Sequence, residues 1–277
     1  ISCSLVGSEM CIRDSNVITD DGSFATFVAR NRFIVHNSSS SSLEVRSLDN
    51  KVTKSIKLSA SVKDITLAAP GTVLILYSHS VVLMDVQQGK ALAELPLKNI
   101  KYTVWSQDGQ YVALMSKHTL TIANRKLEIV TSNHESIRIK SASWDETGVL
   151  IYSTLNHIKY CLLNGDSGII KTLEKTLYIS KVHGKFVYAL NREGEVEILT
   201  IDPTEYRFKK ALVNKNFPEV IRIIKNSNLV GQNIISYLQK SGYPEIALQF
   251  VEDPQTRFDL ATQYGNLEVA LEEAEKL

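Results

Sequence analysis

Three histidines, His79, His118 and His157, stand 39 residues apart, and imidazole is a common zinc ligand. A zinc site needs its donors to converge within about 2.1 Å of one ion. A fixed interval in a repeating chain does the opposite, placing each ring at the same turn of successive units and turning them away from one another. No metal is expected here, and His36, His134 and His183 show no ligand spacing either. A second series, Lys63, Lys101 and Lys140, precedes Gly71, Gly109 and Gly148 by eight residues each. It predicts three ammonium groups along one rim of a central channel. Such an arc would meet an acidic partner or anionic lipid, each charge contributing ~1 kcal/mol. The plainer reading is a solvated rim, because lysine is usually exposed. For catalysis the sequence offers little. The tract Ser38–Ser42 lacks a nucleophile elbow, no P-loop, GxGxxG or HExxH occurs, and Asp64, Asp145 and Asp166 are scattered at turns and strand ends. Neither a catalytic residue nor a cofactor is expected.

The elements that carry these residues are strands in a repeat. Trp105-Ser-Gln-Asp-Gly109 and Trp144-Asp-Glu-Thr-Gly148 are one device 39 residues apart. Each closes a strand on an aromatic residue and turns through a glycine, which tolerates positive φ. Gly71 and Gly184 mark the neighbouring units, and Asn31-Arg32 the one before. A period of ~40 residues with four strands per unit is the mark of propeller blades. The clearest unit reads as strands over Ile100–Ser106, Tyr111–Lys117, Thr119–Arg125 and Lys126–Thr131. Its neighbours read Val62–Ala69, Thr72–Ser78, Ser80–Val86, Ala91–Leu97 and Ile137–Trp144, Val149–Thr154, His157–Leu163, Gly168–Leu173. An earlier unit runs from Phe24 to Leu58, with Ser38–Ser42 as a hairpin tip. The last has three strands, Leu177–Val182, Lys185–Asn191 and Glu195–Ile201. The expectation is an incomplete WD-like propeller of about five blades.

At Asp202 the rhythm changes. Asp202-Pro203-Thr204-Glu205 is a helix start with a cap, a first-turn proline and a capping-box-like glutamate. Six short amphipathic stripes follow: Phe208, Ala211 and Leu212; Phe217, Val220, Ile221 and Ile224; Ile234, Ile235 and Leu238; Ile246, Ala247 and Phe250; Leu260, Ala261 and Tyr264; Leu267, Ala270, Leu271 and Ala274. Gly231, Gly242 and Gly265 punctuate them, and Asp253-Pro254 and Asn266 restart helices. Helices this short gain their stability by stacking, so antiparallel pairs in an α-solenoid are expected.

Composition fits a soluble globular protein: 44% hydrophobic residues and a net charge of +1, without the basic excess of a nucleic-acid binder. The best apolar stretch, Thr72 to Val86, is interrupted by Tyr77, Ser78, His79 and Ser80, too polar to span a membrane. Ile1–Ser15 reads as a non-native, disordered leader, because the string SLVGSEMCIRDS resembles translated sequencing-adapter sequence. Setting it aside removes Cys3 and Cys11 and leaves Cys161 alone, which fits a reducing cytosol.

Several stretches together resemble the alpha subunit of coatomer. They are Phe27-Val-Ala-Arg-Asn-Arg-Phe33, Asn124-Arg-Lys-Leu127, Trp144-Asp-Glu-Thr-Gly148, Asn156-His-Ile-Lys-Tyr160, Leu199-Thr-Ile-Asp-Pro-Thr-Glu205, Leu229-Val-Gly-Gln232, Tyr237-Leu-Gln-Lys240 and Ser241-Gly-Tyr-Pro-Glu245. The resemblance implies part of a second WD-type propeller, over 16–202 once the leader 1–15 is set aside, and the start of an α-solenoid over 203–277. It also implies a structural, non-enzymatic subunit of the COPI vesicle coat in Golgi-to-ER retrograde and intra-Golgi transport. Its partners would be other coatomer subunits, especially beta-prime, with no nucleic acid and no small-molecule substrate. Its place would be the cytoplasm, peripheral on Golgi membrane and COPI-coated vesicles. The family's site for dilysine cargo tails lies in a first propeller, so no cargo-binding residue carries over. The alternatives are another propeller–solenoid scaffold of clathrin-like or intraflagellar-transport type, and a propeller-housed hydrolase, which would require convergent ionisable residues.

Overall fold

The computed structural model describes residues 20–226, 232–248, 251 and 253–276. The leader 1–15 with Cys3 and Cys11, and Leu229, Val230, Gly231 and Phe250, lie outside them. The chain divides into two compact units, the boundary in sequence falling between Thr200 and Ile201.

The first unit holds five antiparallel sheets in chain order, four of four strands and a fifth of three. The first sheet comprises β1 (Phe24–Ala29), β2 (Arg32–Asn37), β3 (Ser42–Ser47) and β4 (Val52–Lys57). The second comprises β5 (Asp64–Ala69), β6 (Thr72–Leu76), β7 (Val81–Asp85) and β8 (Lys90–Leu95). The third comprises β9 (Tyr102–Trp105), β10 (Tyr111–Met115), β11 (Thr119–Asn124) and β12 (Ile129–His134). The fourth comprises β13 (Ser141–Trp144), β14 (Leu150–Ser153), β15 (His157–Cys161) and β16 (Ser167–Thr172). The fifth comprises β17 (Tyr178–His183), β18 (Phe186–Leu190) and β19 (Val196–Thr200).

Burial explains the composition of each strand. In the second blade the middle strands are covered on both faces, so β6 and β7 carry the apolar runs Val73–Leu76 and Val81–Met84, with Val73, Leu74 and Ile75 fully buried. The outer strands β8, β12 and β16 expose alternate residues and carry more polar side chains. First strands of successive sheets stand side by side, and hydrogen bonds cross each junction. Gly71 N–H donates to the Val28 carbonyl at 2.9 Å. The Thr66 and Thr103 hydroxyls meet at 3.2 Å. Trp144 Nε1 donates to the Val104 carbonyl at 3.0 Å, and Ile179 N–H to Ser141 Oγ at 2.6 Å. This is the blade arrangement of a β-propeller.

One expected strand is displaced as a whole, at the outer edge of the third blade. There β12 begins at Ile129, three residues beyond the expected Lys126 start. The Asn124 carboxamide oxygen accepts from the N–H groups of Lys126 and Glu128, each at 2.9 Å, and locks a turn. Leu127 occupies φ 61° within that turn while its side chain is buried. An apolar residue there serves the core from a turn, which is why it mimics a strand.

The second unit contains α1 (Thr204–Val213), α2 (Phe217–Asn226), α3 (Gln232–Lys240), α4 (Pro244–Ala247), α5 (Pro254–Tyr264) and α6 (Leu267–Ala274). Asp202 accepts from Thr204 N–H at 3.0 Å, but the N-cap position of α1 falls on Pro203, whose side chain makes no capping hydrogen bond. Asp253 caps α5 through Thr256 N–H at 2.9 Å, and Asn266 caps α6 through Val269 N–H at 3.3 Å. Gly265 ends α5 at φ 73°, where a side chain would be strained. Phe208, Ala211, Leu212, Val220, Leu238 and Ala247 form one core cluster; Leu248, Ala261 and Ala270 form a second. Each cluster joins successive helices, the packing of a stacked helical array.

Three stripes differ from expectation; in that of Leu260, Ala261 and Tyr264 on α5, Tyr264 is exposed. On α2, Val220 is buried, but Phe217 and Ile221 are exposed and Ile223 takes the inward place beside Ile224. Phe217 instead meets the Tyr243 ring edge-on at 5.9 Å. On α6, Ala270 is buried while Leu267 and Leu271 are 73% and 65% exposed. Period alone selects a helical face, but the neighbour actually present decides which part of it is covered.

Candidate functional site

The three lysines occupy one structural position. Each lies just before its blade's first strand and donates its backbone N–H at 2.8 Å to the last residue of the second strand: Lys63 to Leu76, Lys101 to Met115 and Lys140 to Ser153. Lys63 and Lys101 are exposed and Lys140 is half-buried. The corresponding bond in the first blade comes from Ser23, to His36 at 2.9 Å. The basic series therefore covers three consecutive blades and stops at a hydroxyl.

The histidine series holds less well. His79 and His118 share the third position of the hairpin joining second and third strands, closed by Tyr77 to Ser80 and by Ser116 to Thr119. In the fourth blade that hairpin runs from Thr154 to His157, so Asn156 takes the equivalent place and His157 opens β15. The 39-residue interval conceals a one-residue slip, because the preceding segment is one residue shorter. His118 Nδ1 contacts the Glu135 carbonyl at 3.1 Å. Among the described residues, no three His, Cys, Asp or Glu side chains gather to hold a metal.

A buried polar cluster between the third and fourth blades was not legible in the sequence. Glu135, 7% exposed, accepts from Tyr152 Oη at 2.5 Å and pairs with Lys159 Nζ at 2.6 Å. Glu135 follows β12, whereas Tyr152 and Lys159 come from β14 and β15, so the carboxylate ties one blade to the next. Burial, and then the Glu135 carboxylate, push the Tyr152 phenol far above its usual range. Burial, reinforced by the charges of Glu135 and Asp166, raises the Cys161 thiol to about 12. A thiol so reluctant to ionise is a packing group, not a nucleophile. The only available hint was a lysine set among buried apolar neighbours, and nothing in the sequence pointed to its partner.

His36, in β2, is 6% exposed, and its Nδ1 lies 2.6 Å from Ser23 Oγ. Burial lowers its pKa below the ordinary 6.5. The unfolded chain therefore takes up the proton more readily, and stability present above the unfolded value is lost as pH falls through it towards the folded value. Thermal midpoints measured between about pH 7.5 and 5.5 should fall more steeply for the native chain than for His36→Gln. Parallel slopes would assign the acid sensitivity to other groups.

The fold and its sites define a propeller followed by stacked helices, with its polar clusters used to join blades. The chain belongs to the COPA/B second beta-propeller family, which it matches over residues 10–191. It is 71% identical to coatomer subunit alpha of Saccharomyces cerevisiae over 96% of its own length and 22% of that protein. It is 54% identical to a putative coatomer subunit alpha of Schizosaccharomyces pombe over 92% of its length and 21% of the relative. The chain thus spans about a fifth of these relatives. Among solved structures, KlHsv2 with loop 6CD replaced by a Gly-Ser linker superposes with a TM-score of 0.50, covering 64% of this chain and 63% of that one. At 8% identity that likeness concerns the fold alone. No helix among the described residues is long and apolar enough to cross a membrane.

Proposed function

We propose that this chain is a scaffolding segment of a COPI coat subunit acting in Golgi-to-ER retrograde and intra-Golgi transport. The observation that carries the reading is 71% identity to a coatomer subunit alpha across 96% of the chain. In this reading 16–202 is part of a second propeller and 203–277 begins an α-solenoid; the family match reaches back to residue 10, inside the stretch 1–15 read as a leader. The blades offer a rigid surface and the helices an extended one. Both serve by burying area against other coatomer subunits, beta-prime above all, at the cytoplasmic face of Golgi membranes. The function is non-enzymatic and needs no cofactor.

The test is affinity purification of the full-length parent subunit from its own cells. Beta-prime coatomer should be recovered in near-equal amount, and its absence would reject the assignment. Lys63, Lys101 and Lys140 are assigned to a basic rim facing anionic lipid. Charge reversal at all three should weaken binding of the assembled coat to anionic liposomes; unchanged binding by a folded triple variant would reject that role.

A further inference from the structure

The junction of the second and third blades contains a cavity of about 660 Å³. The repeat explains why it is there. Register places Trp105 of β9 and Trp144 of β13 at equivalent positions, each three residues beyond the strand residue paired with the end of the second strand. It likewise equates Thr72, which opens β6, with Tyr111, which opens β10. At the third–fourth junction Trp144 stacks on Tyr111, with ring centroids 6.5 Å apart and planes 30° apart, and its Nε1 donates to Val104. At the second–third junction the equivalent residues, Trp105 and Thr72, both line the cavity, and a threonine is too short to cover an indole. Trp105 Nε1 is buried without a partner among the described residues. The volume that a tyrosine ring fills at one junction is open at the other.

The walls and rim say what would fill it. Ala68, Ala93 and Leu83 line it with Trp105, and the rim carries Arg125 and Lys126, both exposed. No ion pair engages either cation among the described residues. One carboxylate, Glu128, also lines the cavity, but Asn124 Nδ2 already donates to it at 2.6 Å. The apolar wall beside the indole face suits an aromatic side chain, with room left for the residues next to it, and two unpaired cations at the rim suit neighbouring carboxylates. We infer that this inter-blade cavity binds a partner's peptide segment through one aromatic side chain, with acidic residues next to it held by Arg125 and Lys126.

The test uses the whole chain and a fluorescent pentapeptide with a central phenylalanine flanked by aspartate and glutamate. Saturable binding is expected, weakened about tenfold or more when the phenylalanine is replaced by alanine. Thr72→Tyr should cover the face of Trp105 as Tyr111 covers Trp144 one blade on, abolishing binding without lowering the melting temperature. The double variant Arg125→Glu, Lys126→Glu changes only exposed side chains and should also lose binding, which keeps the test decisive if Thr72→Tyr fails to fold. No binding up to about 1 mM peptide, full binding by a folded Thr72→Tyr, or equal affinity for the alanine peptide would each overturn the proposal. So would capture of neutral vesicles or anionic vesicles, rather than the peptide, through Arg125 and Lys126.

Discussion

Replacing Glu135 with alanine is expected to destabilise the propeller unit by about 3–5 kcal/mol, the range for removing one partner of a buried charge pair. The loss has two parts. The Tyr152 hydroxyl, on a side chain with no exposed surface, loses its 2.5 Å acceptor. The Lys159 ammonium, whose side chain is 17% exposed, loses its 2.6 Å counter-charge. For a unit of this size the thermal midpoint should drop by roughly 10 °C, measured by calorimetry or tyrosine fluorescence. Combining Glu135→Leu with Tyr152→Phe and Lys159→Met should recover most of the loss, because no polar group is then left buried and unpaired. A Glu135→Ala midpoint within about 2 °C of native would show that water already satisfies these groups.

Phe208→Ala should have a comparable cost in the second unit, about 3–5 kcal/mol for emptying a fully buried aromatic site. Phe208 is 0% exposed and anchors the cluster that joins α1 to Leu238 and Ala247 further along. A unit of this length has roughly 4–10 kcal/mol of total stability, so the variant should lose much of it. Helical circular dichroism should melt early, and amide exchange should rise across α1 to α4 before it rises in the blades. Unchanged exchange in α1 would contradict the proposed role of Phe208 as the anchor of that cluster.

Much of this was readable along the chain because it is set by local chemistry. Gly71, Gly109, Gly148 and Gly184 all adopt positive φ at blade turns, as their spacing implied. Asp253 and Asn266 cap the helices they were expected to start. Stretches such as Val73–Leu76 announced middle strands because both faces are buried. Other features misled for equally physical reasons. Leu127 looked like strand because core-filling residues can stand in turns. Leu267 and Leu271 looked like a packed stripe, yet α6 presents Ala270 to its neighbours. His157 kept its interval but not its position, because one hairpin in the repeat lies a residue closer than the period suggests.

The sequence by itself determined the blade period, the turns, the helix caps and the change from strands to helices beyond Thr200, since each depends on residues within a few positions. Only the tertiary structure decided what meets across a junction. It brought Glu135 to Lys159, 24 residues away, and set Trp144 on Tyr111 while leaving Trp105 on the wall of an open cavity. The rule of period is local, but desolvation, ion pairing and cavity volume depend on the neighbour that folding supplies.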